Sequence, residues 1–262
     1  MNPLAIPPVD LIMPASAQYW LTLVWGAFAV ATVIGCVVGS IRSKSWIPVC
    51  LVIGSGLSMF GESMVIPNMN YWYPTHGQIN AYRAYGQSIP LFAGFAYLFY
   101  FAPAIFWLIK KYEQGVTAKQ FWGLWALMLA GTIGYEVATV GAGVCVYYGD
   151  QYFQVMGIPL VWPTQNSMII VVSSVMLYFA RPYLTGWRAF LVIPFMGVQV
   201  ATDEVLVGFP AFVANNADVP GVVRMLCVLA SFGMCAAVVW IGSQLVSSRP
   251  RIRIAQRQLA SS

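Results

Sequence analysis

Seven stretches of this chain are apolar for long enough to cross a bilayer, and that leaves few folds open. They run over 18–40, 46–66, 89–110, 120–143, 157–180, 187–209 and 220–246. A helix needs about 20 apolar residues to span the hydrocarbon core. In that core the backbone N–H and C=O groups must be paired within a helix or a closed barrel. The runs are continuous and do not alternate, so helices are expected and not barrel strands. Composition agrees: 60% of the residues are hydrophobic and 8% are charged, against about 25% charged in soluble domains. The expected fold class is all-α, a polytopic membrane protein with seven transmembrane helices. It forms one domain over 1–246, followed by a basic tail at 247–262. No basic region precedes the first stretch and no small-residue cleavage site closes it, so it reads as a retained helix.

Basic residues orient the bundle. Arg42, Lys44, Lys110, Lys111, Lys119, Arg181 and Arg188 fall in alternate connections, and Arg249, Arg251, Arg253 and Arg257 in the tail. Only Arg83 and Arg224 fall on the other side. The positive-inside rule puts the N-terminus outside and the C-terminus in the cytoplasm. In a bacterium this would be the plasma (inner) membrane. The net charge of +5 calls for no nucleic-acid partner. The tail sequence RPRIRIAQR suits anionic headgroups, so membrane lipids are the expected partner there. Cys36, Cys50, Cys227 and Cys235 lie within spans and Cys145 stands alone near the outer end of the fourth. No CxxC occurs, and no disulfide framework is expected.

Three of the stretches carry acids near the same end. Glu62 lies 16 residues beyond Trp46, Glu136 lies 14 beyond Trp122, and Asp203 and Glu204 lie 16 and 17 beyond Trp187. At 1.5 Å per helical residue each acid stands roughly 21–26 Å above its tryptophan. Parallel helices would therefore hold all four acids at one depth, toward the outer face. Ionisable groups at such a depth are costly and mark functional sites. The plainer alternatives are that they pair with Arg83 or Arg224, or that the helix of Asp203–Glu204 ends at the headgroups.

The outer connections are rich in aromatics. Residues 67–87 hold Tyr71, Trp72, Tyr73, His76, Tyr82 and Tyr85, a density that suits a loop folded back as a cap. Tyr135 adjoins Glu136, and Trp162 and Asn166 open the fifth stretch at the same level. Returning segments open at prolines: SIPLFAG at 88–94, GIPLVWP at 157–163 and VPGVV at 219–223, a weak three-unit repeat. Gly54 and Gly56 in the second stretch, and Gly131, Gly134, Gly141 and Gly143 in the fourth, suggest close helix contacts.

A carboxylic acid without a counter-charge in a dry pocket stays neutral, and a neutral acid can donate a proton. Aromatic faces stabilise cations. Together they suit carbocation chemistry on a lipophilic isoprenoid entering from the bilayer. Glu62, Glu136, Asp203 and Glu204 are the candidate catalytic acids. Tyr71, Trp72, Tyr73, Tyr135, Trp162 and Asn166 are the candidate substrate-binding residues. The chain has one histidine and no DDxxD, NSE-type, DxDD, GxSxG or P-loop motif. The last stretch has no lysine, which excludes a retinal Schiff base of the rhodopsin kind.

A seven-span chain with a glutamate embedded in its second span, in FGESM, resembles the integral-membrane terpene cyclases of meroterpenoid and indole-terpenoid synthesis. The resemblance implies an isomerase or lyase that needs no metal and no cofactor, with Glu62 delivering the proton. The family's second acid usually lies in the last helix. Residues 220–246 contain none here, and Asp203 and Glu204 are the nearest substitutes. The other function class open to these residues is a proton- or cation-coupled transporter, or a ligand sensor, using the same acids.

Overall fold

The computed structural model describes residues 5–260, with side chains described through Ser248. Every one of the seven apolar stretches is helical. The helices are α1 (Ala15–Ser43), α2 (Ile47–Val65), α3 (Leu91–Tyr100), α4 (Ala102–Glu113), α5 (Ala118–Gly141), α6 (Val161–Ala180), α7 (Val192–Asn216) and α8 (Gly221–Ala260). Among the described residues six helical segments are long and apolar enough to cross a membrane: Ala15–Ser43, Ile47–Val65, Leu91–Glu113, Ala118–Gly141, Gly186–Asn216 and Gly221–Ser248. The chain is a multi-pass helical membrane protein. Its outer surface agrees, since Trp20, Phe28, Leu206, Phe209 and Trp240 are all exposed.

The helix outside that set of six is α6. Its start carries Thr164, Gln165, Asn166 and Ser167, which lowers its apolarity. It packs against α4, α5, α7 and α8, so fifteen of its twenty residues are buried. Two of the hydroxyls that lipid would not accept find side-chain partners there. Trp125 Nε1 donates to Ser167 Oγ at 3.1 Å, and the Tyr112 and Ser174 hydroxyls lie 3.1 Å apart.

Two helices carry proline devices. The third stretch is interrupted at Phe101, just ahead of Pro103, and so forms α3 and α4. Pro103 has no N–H to donate and cannot continue the hydrogen-bond ladder there. Helix α7 does not end at Asp203–Glu204 but runs on to Asn216 with Pro210 inside it. The Ala211 N–H, just past that proline, is satisfied by Ser231 Oγ of α8 at 3.1 Å. The arginines at 249, 251, 253 and 257 lie outside the described side chains, while the α8 backbone carries on to Ala260.

The connections after α2 and after α5 fold back as a cap of short strand pairs. Strand β1 (Tyr71–Trp72) pairs antiparallel with β4 (Val146–Tyr147), with Tyr71 opposite Tyr147. Strands β2 (Asn80–Ala84) and β3 (Gln87–Pro90) form one hairpin, and β5 (Gln154–Val155) and β6 (Ile158–Pro159) another. Both hairpins turn through a residue–glycine pair with positive φ at each position: Tyr85 (50°) and Gly86 (72°), then Met156 (54°) and Gly157 (78°). Two consecutive left-handed residues are the signature of the turn that matches strand twist. Each hairpin then passes through Ile-Pro into a helix, α3 or α6. The shared IPL of the sequence is thus the same structural junction used twice.

Polar side chains clamp the cap to the bundle. Gln18 of α1 donates to Gly77 O at 3.0 Å and accepts from Ile79 N–H at 2.6 Å. Gln151 donates to Met69 O at 3.1 Å and accepts from Trp162 Nε1 at 2.9 Å and Asn215 Nδ2 at 3.2 Å. Arg224 is buried, donates from Nε to Ala214 O at 2.8 Å, and pairs with Asp150 at 3.3 Å.

Candidate functional site

Directly beneath the cap, three helices bring a carboxyl group to one cavity of about 70 Å3. Glu62 comes from the last turn of α2, Glu136 from near the C-terminal end of α5 and Glu204 from the middle of α7. One water needs roughly 10–15 Å3 by the same measure, so the cavity has room for a small ligand group or several waters. Glu136 and Glu204 are buried, at 4% and 6% exposure, and neither lysine nor arginine lines the cavity. Arg224 is committed to Asp150, and Arg83 Nε donates to Ser88 Oγ. The pairing of the acids with these arginines, open from the sequence, does not occur.

The rest of the wall is phenolic. Tyr71 and Tyr73 come from β1 and the residue after it, and Tyr147 from β4. Tyr97 and Tyr100, three residues apart, share the inner face of α3, and Tyr135 comes from α5. Asn166 of α6 completes the ring, with Ile66, Met69, Ala96 and Phe101 as apolar lining. Both Glu62 oxygens accept phenol hydroxyls: Tyr73 donates to Oε1 at 2.8 Å, and Tyr97 donates to Oε2. Tyr100 lies 2.5 Å from Thr132 Oγ1, and Tyr135 stacks on Trp25 of α1 at 4.9 Å. The buried Glu136 carboxyl stands beside the Tyr147 hydroxyl, its hydrogen-bonding neighbour. Burial pushes the phenols of Tyr71, Tyr73 and Tyr147 well above their ordinary range, so in the cap they remain neutral donors. The Cys145 thiol beside them is pushed up to about 12 by the same burial.

Not every candidate reaches the cavity. Asp203 neighbours Glu204 in sequence but points away, bonded to Gln199 at 2.5 Å and close to Cys235 of α8. Adjacent helical residues diverge by about 100°, so one helix face cannot present both. Trp72 alternates away from Tyr71 and Tyr73 and lines a shallow surface depression with His76 and Arg83. Trp162 is spent on the cap, bonded to Gln151 and stacked on Phe212 at 5.6 Å. Conversely, Tyr97, Tyr100 and Tyr147 line the cavity without having stood out in the sequence. The i, i+3 spacing of Tyr97 and Tyr100 was the available signal. No family model matches the chain, and no curated protein or solved structure is detectably similar to it.

Proposed function

We propose that the protein is a membrane-embedded cyclase or isomerase for a lipophilic isoprenoid, working by proton transfer from a carboxylic acid without a metal. The observation that carries this is the meeting of three carboxyl groups and six phenols in one cavity with no basic residue in its lining. The acids supply a proton to an alkene or epoxide, and the aromatic walls stabilise the cation while rings close. Asn166 can hold a water that receives the last proton. On this reading all seven stretches span, α6 in the middle, with the N-terminus outside and the C-terminus cytoplasmic. The cavity then lies in the outer half of the membrane, where the substrate enters from the lipid.

The break at Phe101, beside the cavity, favours a second reading as a proton-coupled carrier, because interrupted helices mark binding sites in transporters. Membranes expressing the protein, supplied with prenylated aromatic and linear isoprenoid substrates, separate the two. A cyclase consumes substrate and yields an isomer of the same mass. Glu62→Gln, Glu136→Gln and Glu204→Gln each alter or abolish that product, whereas Asp203→Asn leaves it. Unchanged product from all three glutamate variants would sink acid catalysis.

A further inference from the structure

The helices around the cavity are not joined alike. In turn, α3 packs on α2, α2 on α7, α7 on α6 and α6 on α5, each pair backbone to backbone. Between α5 and α3, and between α5 and the α1 helix that backs α3, no such packing occurs among the described residues. Aromatic side chains bridge that seam instead. Trp25 of α1 stacks on Tyr135 of α5, with ring centres 4.9 Å apart and planes 20° from parallel. Tyr100 of α3 lies 5.5 Å from the Tyr135 ring, and its hydroxyl is 2.5 Å from Thr132 Oγ1 of α5. Tyr100 and Tyr135 also line the cavity, so the rings that bridge the seam are the rings that bound the site. On the far side Phe99 meets Trp25 at 6.0 Å and the exposed Phe28 at 5.6 Å, which carries the aromatic run out to the surface. Tyr100 is the last residue of α3, and Pro103 supplies no N–H to the turn that holds it. Helix ends of this kind are where hinges form.

We propose, resting on the lipophilic substrate of the reading above, that the α3–α5 seam is the lateral entrance to the cavity and that Trp25, Tyr100 and Tyr135 are its gate. α1, α5 and the α3–α4 segment are all long and apolar enough to cross the membrane, so a gap between them opens to lipid and not to water. Closed, the gate keeps bilayer chains off the carboxyls. Opening requires Tyr100 and Tyr135 to turn about their side-chain bonds, with the loss of one hydrogen bond and one stack. Parting α2 from α7 would instead break a continuous contact in which Gly54 and Gly61 bring the two helices together. None of the seam residues is charged. The gate therefore suits an apolar chain and offers no counter-charge to a phosphate headgroup, a selection made before the substrate meets the acids.

Entry can be timed without a substrate. Ala96→Cys places a thiol on the cavity wall, and mass spectrometry of the full chain in lipid vesicles separates its modification from that of the five native cysteines. A phenyl maleimide dissolved in the bilayer should reach this thiol faster than a sulfonated maleimide in the water. Trp25→Ala removes the stack and should speed the lipid-borne reagent about tenfold. Thr132→Val keeps the shape, removes the partner of Tyr100 and should speed it about threefold. Leu57→Ala, on the α2–α7 side, should leave the rate unchanged. Earlier arrival of the sulfonated reagent, equal rates in the parent and both seam variants, or equal acceleration by Leu57→Ala would overturn the gate. If Trp25→Ala does not fold, Thr132→Val carries the comparison. A wild type that converts no isoprenoid would refute the cyclase reading while leaving the labelling rates to stand.

Discussion

A methyl group added at Gly54 tests how tightly α2 and α7 meet. Its Cβ would lie 2.7 Å from Ile193 O and 2.7 Å from Met196 Cβ. Neither neighbour is a free side-chain end: one is backbone and the other is fixed to it. Restoring ordinary contact at 3.4 Å requires the helices to part by roughly 0.7 Å along a shared face. Overpacking of this kind costs about 1–3 kcal/mol. For a chain of this size that lowers the thermal midpoint by roughly 3–10 °C. Gly131→Ala is the matched control. Its Cβ meets nothing within 4 Å, and alanine is the better helix former by about 1 kcal/mol. The purified protein in detergent, followed by tryptophan fluorescence on heating, should therefore melt early as Gly54→Ala and at or above the wild-type midpoint as Gly131→Ala. Equal midpoints for the two variants would refute the packing argument.

The cap gives two further expectations. Gln151→Leu orphans the buried Trp162 Nε1–H and should cost about 1–3 kcal/mol, whereas Asn216→Ala, at the exposed rim, should change the midpoint little. Alkaline pH should loosen the same region. The folded state holds the Tyr71, Tyr73 and Tyr147 phenols protonated above their ordinary range, so their contribution is complete below the unfolded value near pH 10. It is lost as pH rises beyond that, because the unfolded chain gives up those protons first. Thermal midpoints should be flat from about pH 8 to 9.5 and then fall, less steeply in Tyr147→Phe. A curve of identical slope in that variant would exclude Tyr147 as a contributor.

The spans were legible because hydropathy over 20 residues is a strong signal, and so was the common level of the acids, which follows from helical rise. What the sequence could not show was direction. Trp72 and Tyr73 are equivalent aromatics in a loop until a two-residue strand sends them to opposite sides, and a strand that short has no readable period. Asp203 and Glu204 likewise differ only by the rotation of about 100° between adjacent helical residues. Tyr97 and Tyr100 sit in an apolar run where a tyrosine at the membrane edge is ordinary. The glycines show the same limit. Those of α2 lie against neighbouring helices, while Gly131, Gly134 and Gly141 of α5 face open space, contrary to the close contacts their spacing suggested.

The pairing of β1 with β4 also sets a schedule for biosynthesis. Tyr71 and Tyr147 are separated by α3, α4 and α5, yet they meet in adjacent strands. A nascent chain that has inserted only its first helices holds Glu62 with Tyr73 and Tyr97 but has neither Glu136 nor Tyr147 to set against them. The chamber is therefore roofed only after α5 has been made and the segment after its C-terminal end has met β1. Until then Glu62 and its tyrosine partners lack the roof that encloses them in the finished fold.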